Sequence, residues 1–248
     1  MIYILLPAYN EEEGLENLLN RIKRIAGAFS FSYKIIIVND GSTDHTELVI
    51  RSYSDTTPIE LINFEKNRGI EEVFKAGFKR VCGIAKDDDI CITMDSDNTQ
   101  NPYVMLDMLR LMEGSGGPDI VIASRFEKGG AMVGAPFTRR ILSIGISYIL
   151  RRLIPIKGVK DYSTFYRAYR ISVIKKGFEK YGDGLIEGHG FSAMANLLIK
   201  LCTITDKVQE VPFVLRYDLK EGGTGMNIGK TMMGYLGIIW EHLAGTSA

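Results

Sequence analysis

The chain has 248 residues, of which 46% are hydrophobic and 24% are charged, a composition typical of an ordinary globular protein with one substantial core. Its 30 basic and 30 acidic side chains balance, so no overall field attracts nucleic acid, and we expect no nucleic-acid partner. The three cysteines, Cys82, Cys91 and Cys202, lack CxxC spacing and lie in apolar stretches. This pattern favours buried free thiols in a reducing cytoplasm.

The apolar stretches of the chain predict no membrane-spanning helix. The first run, at 2–6, lacks the basic segment and cleavage site of a signal peptide. Later runs at 141–156 and 232–243 are interrupted by arginines or fall short of the ~20 residues that a spanning helix needs. We therefore expect a cytoplasmic protein. Its helices near 137–153 and 230–243 could lie on an anionic membrane surface, or they could pack in the core.

Strand-like and helix-like segments alternate through the first half of the chain. Apolar runs typical of strands occur at 2–6, 34–38, 59–63, 90–94 and 120–123. Helix-like segments follow at 11–26, 44–53, 69–81 and 102–112. This alternation predicts an α/β fold with a mostly parallel central sheet covered by helices on both faces.

The rhythm changes after Arg125. A Gly-rich loop is followed by further predicted elements: a helix at 137–153, a strand at 162–169, a helix near 191–201, a strand at 208–216 and a final amphipathic helix. No internal repeat accompanies the change, so we expect the second half to extend the same domain rather than to form another.

Two carboxylates follow the predicted strand at 90–94. Asp95 and Asp97 are separated by one small residue, and positions two apart in an extended chain point the same way. They could therefore share one Mg²⁺ or Mn²⁺ whose coordination is completed by nucleotide phosphates. A solvated turn is the alternative, because aspartate favours turns.

Polar residues also follow the first two predicted strands, where ligands collect in parallel sheets. After the second strand, Asp40 could accept hydrogen bonds from a base or ribose, and Gly41 could let the backbone approach a ligand closely. Helix capping also explains the Ser, Thr and Asp residues of that loop. Capping does not explain the loop after the first strand, where Tyr9 offers a stacking face and Glu11 another acceptor.

Four motifs in this order resemble the family 2 glycosyltransferases of the GT-A fold. They are Pro7-Ala8-Tyr9-Asn10-Glu11, Asn39-Asp40-Gly41-Ser42-Thr43-Asp44, Asn67-Arg68-Gly69 and Met94-Asp95-Ser96-Asp97. The segments at 119–126, 139–143 and 161–169 are similar to the dolichyl-phosphate mannosyltransferase branch and its polyprenyl-phosphate glycosyltransferase relatives. The resemblance covers nearly the whole chain and is strongest up to about Tyr169.

The resemblance implies an inverting transferase that moves a sugar from a GDP- or UDP-sugar to a polyprenyl phosphate. It implies one domain over 1–248, in which 1–125 binds the nucleotide-sugar and 126–248 binds the acceptor. Peripheral association with the cytoplasmic membrane face would suit such an acceptor. The cofactor implied is Mg²⁺ or Mn²⁺.

The resemblance also assigns roles to individual residues. The metal ligands would be Asp95 and Asp97. The other substrate-binding residues would be Pro7, Tyr9, Glu11, Asp40 and Ser96. Phosphate groups of donor and acceptor would be bound by Arg125, Arg139 and Arg216, because a guanidinium holds phosphate oxygens in a fork. Of all these, the catalytic residues would be Asp97, Arg125 and Arg139.

Several positions depart from the pattern of the branch. Thr99, followed by Gln100, stands where glutamine is usual, and Phe165 replaces a usual glycine. Asn196 stands where an acidic residue is common, and Gly222-Gly223-Thr224 replaces a Gly-Glu-Ser type of loop. These departures bear on the metal geometry, the sugar and the acceptor, and leave the fold expectation unchanged.

The expected phosphate acceptor is inferred partly from the absence of motifs found in transferases that act on sugar hydroxyls. Family members that transfer to sugar hydroxyls commonly carry a Glu-Asp base and a Gln-x-x-Arg-Trp helix, and neither occurs here. A phosphate acceptor is already anionic and needs no base. One alternative is transfer to a soluble or protein-bound hydroxyl, for which the candidate bases are Asp161, Glu187 and His189. Another is a non-catalytic nucleotide-sugar-binding module, which the presence of both Asp95 and Asp97 disfavours.

Overall fold

The computed structural model describes residues 1–114, 116–188, 190–220 and 228–244, with only the backbone at 228 and 230. Within these residues the strands are β1 (Ile2–Ala8), β2 (Tyr33–Asn39), β3 (Ile59–Asn63), β4 (Ile90–Thr93), β5 (Ile120–Ser124), β6 (Ala131–Val133), β7 (Arg167–Arg170), β8 (Val208–Pro212) and β9 (Val214–Arg216). The helices are α1 (Glu12–Phe29), α2 (Thr46–Tyr53), α3 (Ile70–Ile84), α4 (Val104–Met112), α5 (Phe137–Leu153), α6 (Ile171–Tyr181), α7 (Ser192–Leu201) and α8 (Ile228–Leu243). Short 3₁₀ helices span Gly182–Leu185 and Tyr217–Leu219.

The predicted α/β architecture with a mostly parallel sheet is confirmed. In the part of the chain that the structure describes, seven strands form one sheet in the order β3-β2-β1-β4-β7-β5-β8. Only β7 runs antiparallel to its neighbours β4 and β5. A small second sheet pairs β6 with β9 in parallel. Strands from both halves of the chain therefore share the central sheet.

The central strands are apolar on both faces because helices cover both. Along β2, Ile36 and Val38 face a core that includes Phe74 of α3. The alternate residues Ile35 and Ile37 face the other core, built partly from α1. Continuous apolar runs of this kind are what a doubly covered parallel sheet requires. They explain why the early strands were predictable from sequence.

Two predicted strands differ from those observed. The predicted strand at 162–169 is mostly a turn, because the Asp161 carboxylate accepts the backbone N–H groups of Ser163 and Thr164 and bends the chain. Only β7 remains extended there. The predicted strand at 208–216 divides at Phe213, whose backbone pairs with Ser124 on one side and Ala131 on the other. It thereby becomes β8 and β9 in separate sheets.

No helix within the described ranges combines the length and the apolarity needed to cross a membrane. The predicted helices at 137–153 and near the C-terminus correspond to α5 and α8.

Helix α1 supports the loop that follows β4 at two points. A Cβ atom on Gly14 would lie 3.0 Å from the carbonyl carbon of Asp97 and 3.1 Å from its Cα. About two turns later, Arg21 donates through Nη1 to Asn98 Oδ1 and through Nη2 to Asn101 Oδ1, both at 2.8 Å. The position of Asp97 therefore depends on how closely α1 can approach.

Gly14→Ala tests this close approach. The added methyl group must displace the backbone of Asp97, and overpacking of this kind typically costs about 1–3 kcal/mol. Gly27→Ala is the matched control, because a Cβ at Gly27 of the same helix meets no atom within 4 Å. We expect urea denaturation to show Gly14→Ala less stable than Gly27→Ala, which should equal or exceed the parent protein. Equal stability of the two variants would contradict the tight contact.

Candidate active site

A cavity of about 550 Å³ opens where β1, β2 and β4 end. The loops after these strands form one wall, and residues of α5 and α8 form another. The predicted site residues that line it are Pro7, Tyr9, Glu11, Asp40, Asp95, Ser96, Asp97, Arg125 and Arg139. Among the predicted site residues, the cavity thus brings together positions up to 132 apart, from Pro7 to Arg139.

Arg216 is the predicted site residue that the structure does not bring to this cavity. Its neighbours Leu215 and Tyr217 line the cavity, and because side chains of an extended segment alternate, Arg216 points away. Its guanidinium pairs with Asp218 at 2.7 Å and remains 44% exposed. The geometry therefore gives no support to the predicted phosphate contact.

The loops after β1 and β2 are held together by hydrogen bonds between them. The backbone N–H of Asn10 donates to Ser42 Oγ at 3.0 Å, and the N–H of Thr43 donates to Asn10 Oδ1 at 2.8 Å. The N–H of Glu11 donates to Thr46 Oγ1 at 2.8 Å. These bonds present Tyr9 at the cavity wall with 40% of its surface exposed. An aromatic ring so placed can stack on a base.

Asp40 organises the loop before α3. Its Oδ1 accepts the backbone N–H of Arg68 at 2.7 Å, and its Oδ2 accepts that of Gly69 at 2.9 Å. Burial raises the pKa of Asp40, although these two bonds oppose the shift. Gly41 has φ +68°, and a Cβ there would lie 2.4 Å from the backbone of Lys66. The close approach predicted for Gly41 is therefore made by the chain's own loop.

Thr99 and Gln100 fix the two carboxylates of the predicted metal site. Gln100 Nε2 donates to Asp95 Oδ2 at 2.5 Å, and Gln100 Oε1 accepts the Asp95 N–H at 3.0 Å. Asp97 Oδ1 accepts from the N–H of Thr99 at 3.1 Å and from its hydroxyl at 2.6 Å. Both residues orient the aspartates, and their own oxygens are already used. Ser96, between the aspartates, donates its hydroxyl to the Pro7 carbonyl at 2.7 Å.

Three carboxylates crowd this end of the cavity. Burial raises the pKa of Asp95 well above its usual range, and the negative charges of Asp97 and Glu11 add to the shift. Burial also raises the pKa of Glu11 to about 7, with Asp97 and Asp44 contributing against the opposing charge of Lys220. Such a cluster is favourable only when cations compensate it. The site therefore attracts positive charge.

Lys220 supplies part of that charge, and sequence reasoning missed it. Its Nζ lies 2.7 Å from Asp97 Oδ2, and each of the two side chains is 13% exposed. Burial disfavours the ammonium, but the charges of Asp97, Glu11 and Asp95 outweigh it and raise the pKa of Lys220. It lies four positions after Arg216, beyond the turn Tyr217–Leu219 that carries the chain back to the cavity. A single lysine in that segment belongs to no recognisable motif, so the sequence alone did not indicate that it reaches the site.

The carboxylates can hold a hard divalent cation. In the described ranges no three or more His, Cys, Asp and Glu side chains form a metal-binding group. Mg²⁺ usually binds through one or two carboxylates together with substrate phosphates and water, rather than in an all-protein cage. Asp95 and Asp97, two oxygen donors at a cavity wide enough for a nucleotide, fit that donor set.

Two arginines line the other side of the cavity. Arg125 donates through Nε and Nη2 to the two oxygens of Asp161, at 2.8 and 2.6 Å, and through Nη2 to Ser163 Oγ at 2.6 Å. Arg139 donates to the hydroxyl of Tyr217 and lies over its ring at 5.2 Å. Rigidly held guanidinium groups are suited to binding phosphate oxygens.

Of the three candidate bases, Asp161 and Glu187 lie within the described residues, and neither occupies a position suited to proton abstraction. Burial would raise the pKa of Asp161, but the Arg125 guanidinium and the backbone N–H groups outweigh it, so this pKa is lowered. Glu187 does not line the cavity, and it pairs with Lys200 at 2.8 Å with 57% of its side chain exposed. His189 and the Gly222-Gly223-Thr224 segment lie outside the described residues.

Phe165 adds an apolar surface to the cavity where relatives of the branch have glycine. Its ring stacks on Phe191 at 5.3 Å and meets Phe74 edge to face at 5.6 Å. Asn196, the other departure, donates to the Glu187 carbonyl at 3.2 Å and so has a local structural partner. Phe165 lines the cavity together with Ser163 and Thr164.

Comparison with known proteins agrees with the fold. The model of the family described as "Glycosyl transferase family 2" matches residues 3–178. The dolichol-phosphate mannosyltransferase of Pyrococcus furiosus is 31% identical over 97% of this chain and 63% of its own length. The polyprenol monophosphomannose synthase of Mycolicibacterium smegmatis is 26% identical over 92% of this chain and 83% of its own. The chain thus spans less than two thirds of the archaeal relative.

A solved structure supports the fold independently. The glucosyl-3-phosphoglycerate synthase of Mycobacterium tuberculosis, crystallised with Mn²⁺, UDP and phosphoglyceric acid, superposes with a TM-score of 0.69. The match covers 98% of this chain and 78% of that one at 17% identity. Together with a family model that matches most of the chain, this similarity shows that the chain belongs to glycosyl transferase family 2, has the GT-A fold, and is similar to the dolichyl-phosphate mannosyltransferase branch.

Proposed function

We propose that this chain is an inverting glycosyltransferase that moves a sugar from a nucleotide-sugar to a polyprenyl phosphate, with Mg²⁺ or Mn²⁺ on Asp95 and Asp97. One observation carries the proposal: a single cavity holds a crowded carboxylate cluster on one side and Arg125 and Arg139 on the other. The first side suits a metal-bound diphosphate, and the second suits a phosphate acceptor. Residues 1–125 would then bind the donor, and 126–248 would provide most of the acceptor side.

The donor is held by the loops after β1, β2 and β4. Tyr9 stacks on the base, Pro7 and Glu11 border the ribose, and Asp40 fixes the loop at 67–69 against the nucleoside through its backbone bonds. Ser96 ties the metal-binding segment to the first strand through the Pro7 carbonyl. When bound, the divalent cation neutralises the diphosphate and so stabilises it as a leaving group.

The acceptor phosphate is bound by Arg125 and Arg139. Asp161 uses Nε and Nη2 of Arg125, so Nη1 is the nitrogen for a substrate oxygen. A phosphate oxygen attacks the anomeric carbon, the bond from that carbon to the diphosphate breaks, and the configuration inverts. The nucleophile is an anion already, so no side chain has to remove a proton. This agrees with the locked positions of Asp161 and Glu187.

Helices α5 and α8 present an apolar surface beside the cavity. On α5, Phe137, Ile141, Ile144 and Tyr148 are 75%, 51%, 43% and 64% exposed. On α8 the exposed residues are Met233, Leu236, Trp240 and Leu243, at 67%, 62%, 74% and 67%. Each set recurs at helical spacing on one face. Other residues of the same two helices, Leu142, Ile146, Met232 and Tyr235, line the cavity.

We propose that this surface lies on the cytoplasmic membrane face that carries the lipid acceptor. The alternative of core packing does not hold for these side chains, since they are exposed. Apolar patches rimmed by arginine are typical of helices that lie in the lipid interface. The names of the relatives support a lipid-linked acceptor, because they include transferases named for dolichol phosphate and undecaprenyl phosphate.

Removal of one carboxylate tests the metal and donor assignment. In Asp97→Asn, Mn²⁺-dependent binding of GDP and UDP should weaken about tenfold or more, the scale of one lost charge-assisted contact. Calorimetry with and without Mn²⁺ measures this effect. The control Asp87→Asn also removes an aspartate paired with a lysine, at an exposed surface position, and should bind normally. Nucleotide binding that is equally tight in EDTA would contradict the assignment.

Acceptor chemistry is tested by comparing a polyprenyl phosphate with the corresponding alcohol. We expect transfer to the phosphate and none to the alcohol. Arg139→Ala should weaken use of the acceptor by about 1.5–3 kcal/mol and leave donor binding nearly unchanged, because it removes a charged contact to the phosphate. Arg140→Ala, an exposed neighbour on α5, is the control. Efficient transfer to a plain hydroxyl, with no activity on the phosphate, would overturn the acceptor class.

Membrane contact is tested with vesicles that contain an anionic lipid. The protein should sediment with them, and Trp240→Ser should reduce binding by about 1.5–3 kcal/mol, the value of burying one large apolar side chain. Leu48→Ser removes an apolar residue that is 63% exposed on α2, away from this surface, and should leave binding unchanged. If both variants bind as the parent does, α5 and α8 do not form the contact surface.

A further inference from the structure

Both carboxylate oxygens of Asp97 contact the chain's own donors. Thr99 donates its N–H and its hydroxyl to Oδ1, and Lys220 places its ammonium 2.7 Å from Oδ2. A divalent cation bound to Oδ2 and the ammonium would repel each other. The two cations therefore compete for that oxygen.

The Lys220 side chain can move away from Asp97 while its backbone stays in place. Its backbone N–H donates to the Tyr217 carbonyl at 3.2 Å, which closes the turn before it. The charge is carried on a flexible four-carbon stem, which can redirect a point charge over several ångströms. The side chain lines the same cavity as Asp95, Arg125 and Arg139, so a phosphate bound there lies within its range.

We propose that Lys220 and the divalent cation exchange on Asp97. The ammonium neutralises Asp97 when no metal is bound; the cation arrives with the nucleotide diphosphate, and the displaced ammonium moves to the phosphate oxygens. This inference rests on the proposed metal-dependent donor site. It adds that metal and nucleotide bind together, since the diphosphate supplies both a ligand for the metal and a new partner for Lys220.

The exchange also connects the donor with the acceptor side. Tyr217, whose carbonyl holds the Lys220 backbone, accepts a hydrogen bond from Arg139 through its hydroxyl. One short turn, Tyr217–Leu219, therefore contacts the residue proposed for the acceptor phosphate and leads into the residue that leaves the metal site. Lys220 and Arg139 are therefore supported by the same short segment.

The experiment measures Mn²⁺ binding by electron paramagnetic resonance, first with Mn²⁺ alone and then with GDP or UDP. Lys220→Met should bind Mn²⁺ alone about tenfold more tightly than the parent protein, the scale of one charged competitor removed. It should bind nucleotide in saturating Mn²⁺ more weakly than the parent. Lys220→Arg should restore the parent's weak binding of Mn²⁺ alone. Lys175→Met, which breaks a Lys–Asp pair of the same 2.7 Å length elsewhere, should change neither affinity.

The two opposite shifts distinguish exchange from a structural role, which would weaken both affinities. Unchanged or weaker binding of Mn²⁺ alone by Lys220→Met, with a parental thermal midpoint, overturns the exchange. If Lys220→Met has a lowered thermal midpoint, Mn²⁺ binding is measured instead with Lys220→Gln, which keeps a hydrogen-bonding group. Unchanged or weaker binding of Mn²⁺ alone by Lys220→Gln then overturns the exchange. If the parent and all variants bind nucleotide without Mn²⁺, the proposed metal-dependent function itself fails. Failure of the exchange alone looks different: the parent protein binds nucleotide tightly only with Mn²⁺, but Lys220→Met gains no affinity for Mn²⁺ alone.

Discussion

The mutual repulsion of Glu11, Asp95 and Asp97 is the constraint around which the cavity is organised. Each carboxylate is partly buried; burial raises the pKa values of Glu11 and Asp95, and the neighbouring negative charges add to both shifts. A cation lying among them offsets this repulsion and favours the charged carboxylates. Lys220 provides one within the chain, and the proposed divalent ion provides another with the substrate.

The surrounding structure keeps this unfavourable cluster in place. Gln100 fixes Asp95 through both ends of its amide, and Thr99 fixes Asp97. Behind them, the missing side chain of Gly14 lets α1 lie against the Asp97 backbone, while Arg21 holds the following loop. Sites of this kind require support from neighbouring residues, because a small displacement changes the charge balance. The stability of the cluster is thus supplied largely by α1 and the loop after β4.

Much of the fold and the donor side of the cavity could be predicted from the sequence. Buried parallel strands produce continuous apolar runs, and the ends of such strands meet at one edge, so Tyr9, Asp40 and Asp95 were expected to be neighbours. The second half was harder to predict. Its strands are short, β7 is antiparallel, and the turn imposed by Asp161 leaves no periodic pattern.

Three residues show why local sequence pattern was insufficient to predict the rest of the site. Arg216 and Lys220 are cations in the same segment, and only the alternation of β9 and the turn Tyr217–Leu219 decide which one reaches the cavity. Gly41 has the predicted conformational freedom, but it serves contact with the loop at 66–67 rather than contact with a ligand. Both outcomes depend on tertiary packing between segments that are distant in sequence.

The proposed metal-dependent site depends most on which cation lies on Asp97 when a nucleotide is bound. Anomalous scattering from crystals grown with Mn²⁺ and GDP or UDP would locate the metal and the ammonium together. We predict a manganese peak bridging Asp95, Asp97 and the diphosphate, with Lys220 Nζ removed from Asp97 and within hydrogen-bonding distance of a phosphate oxygen. A bound nucleotide with Lys220 still paired to Asp97, or manganese bound away from both aspartates, would contradict it.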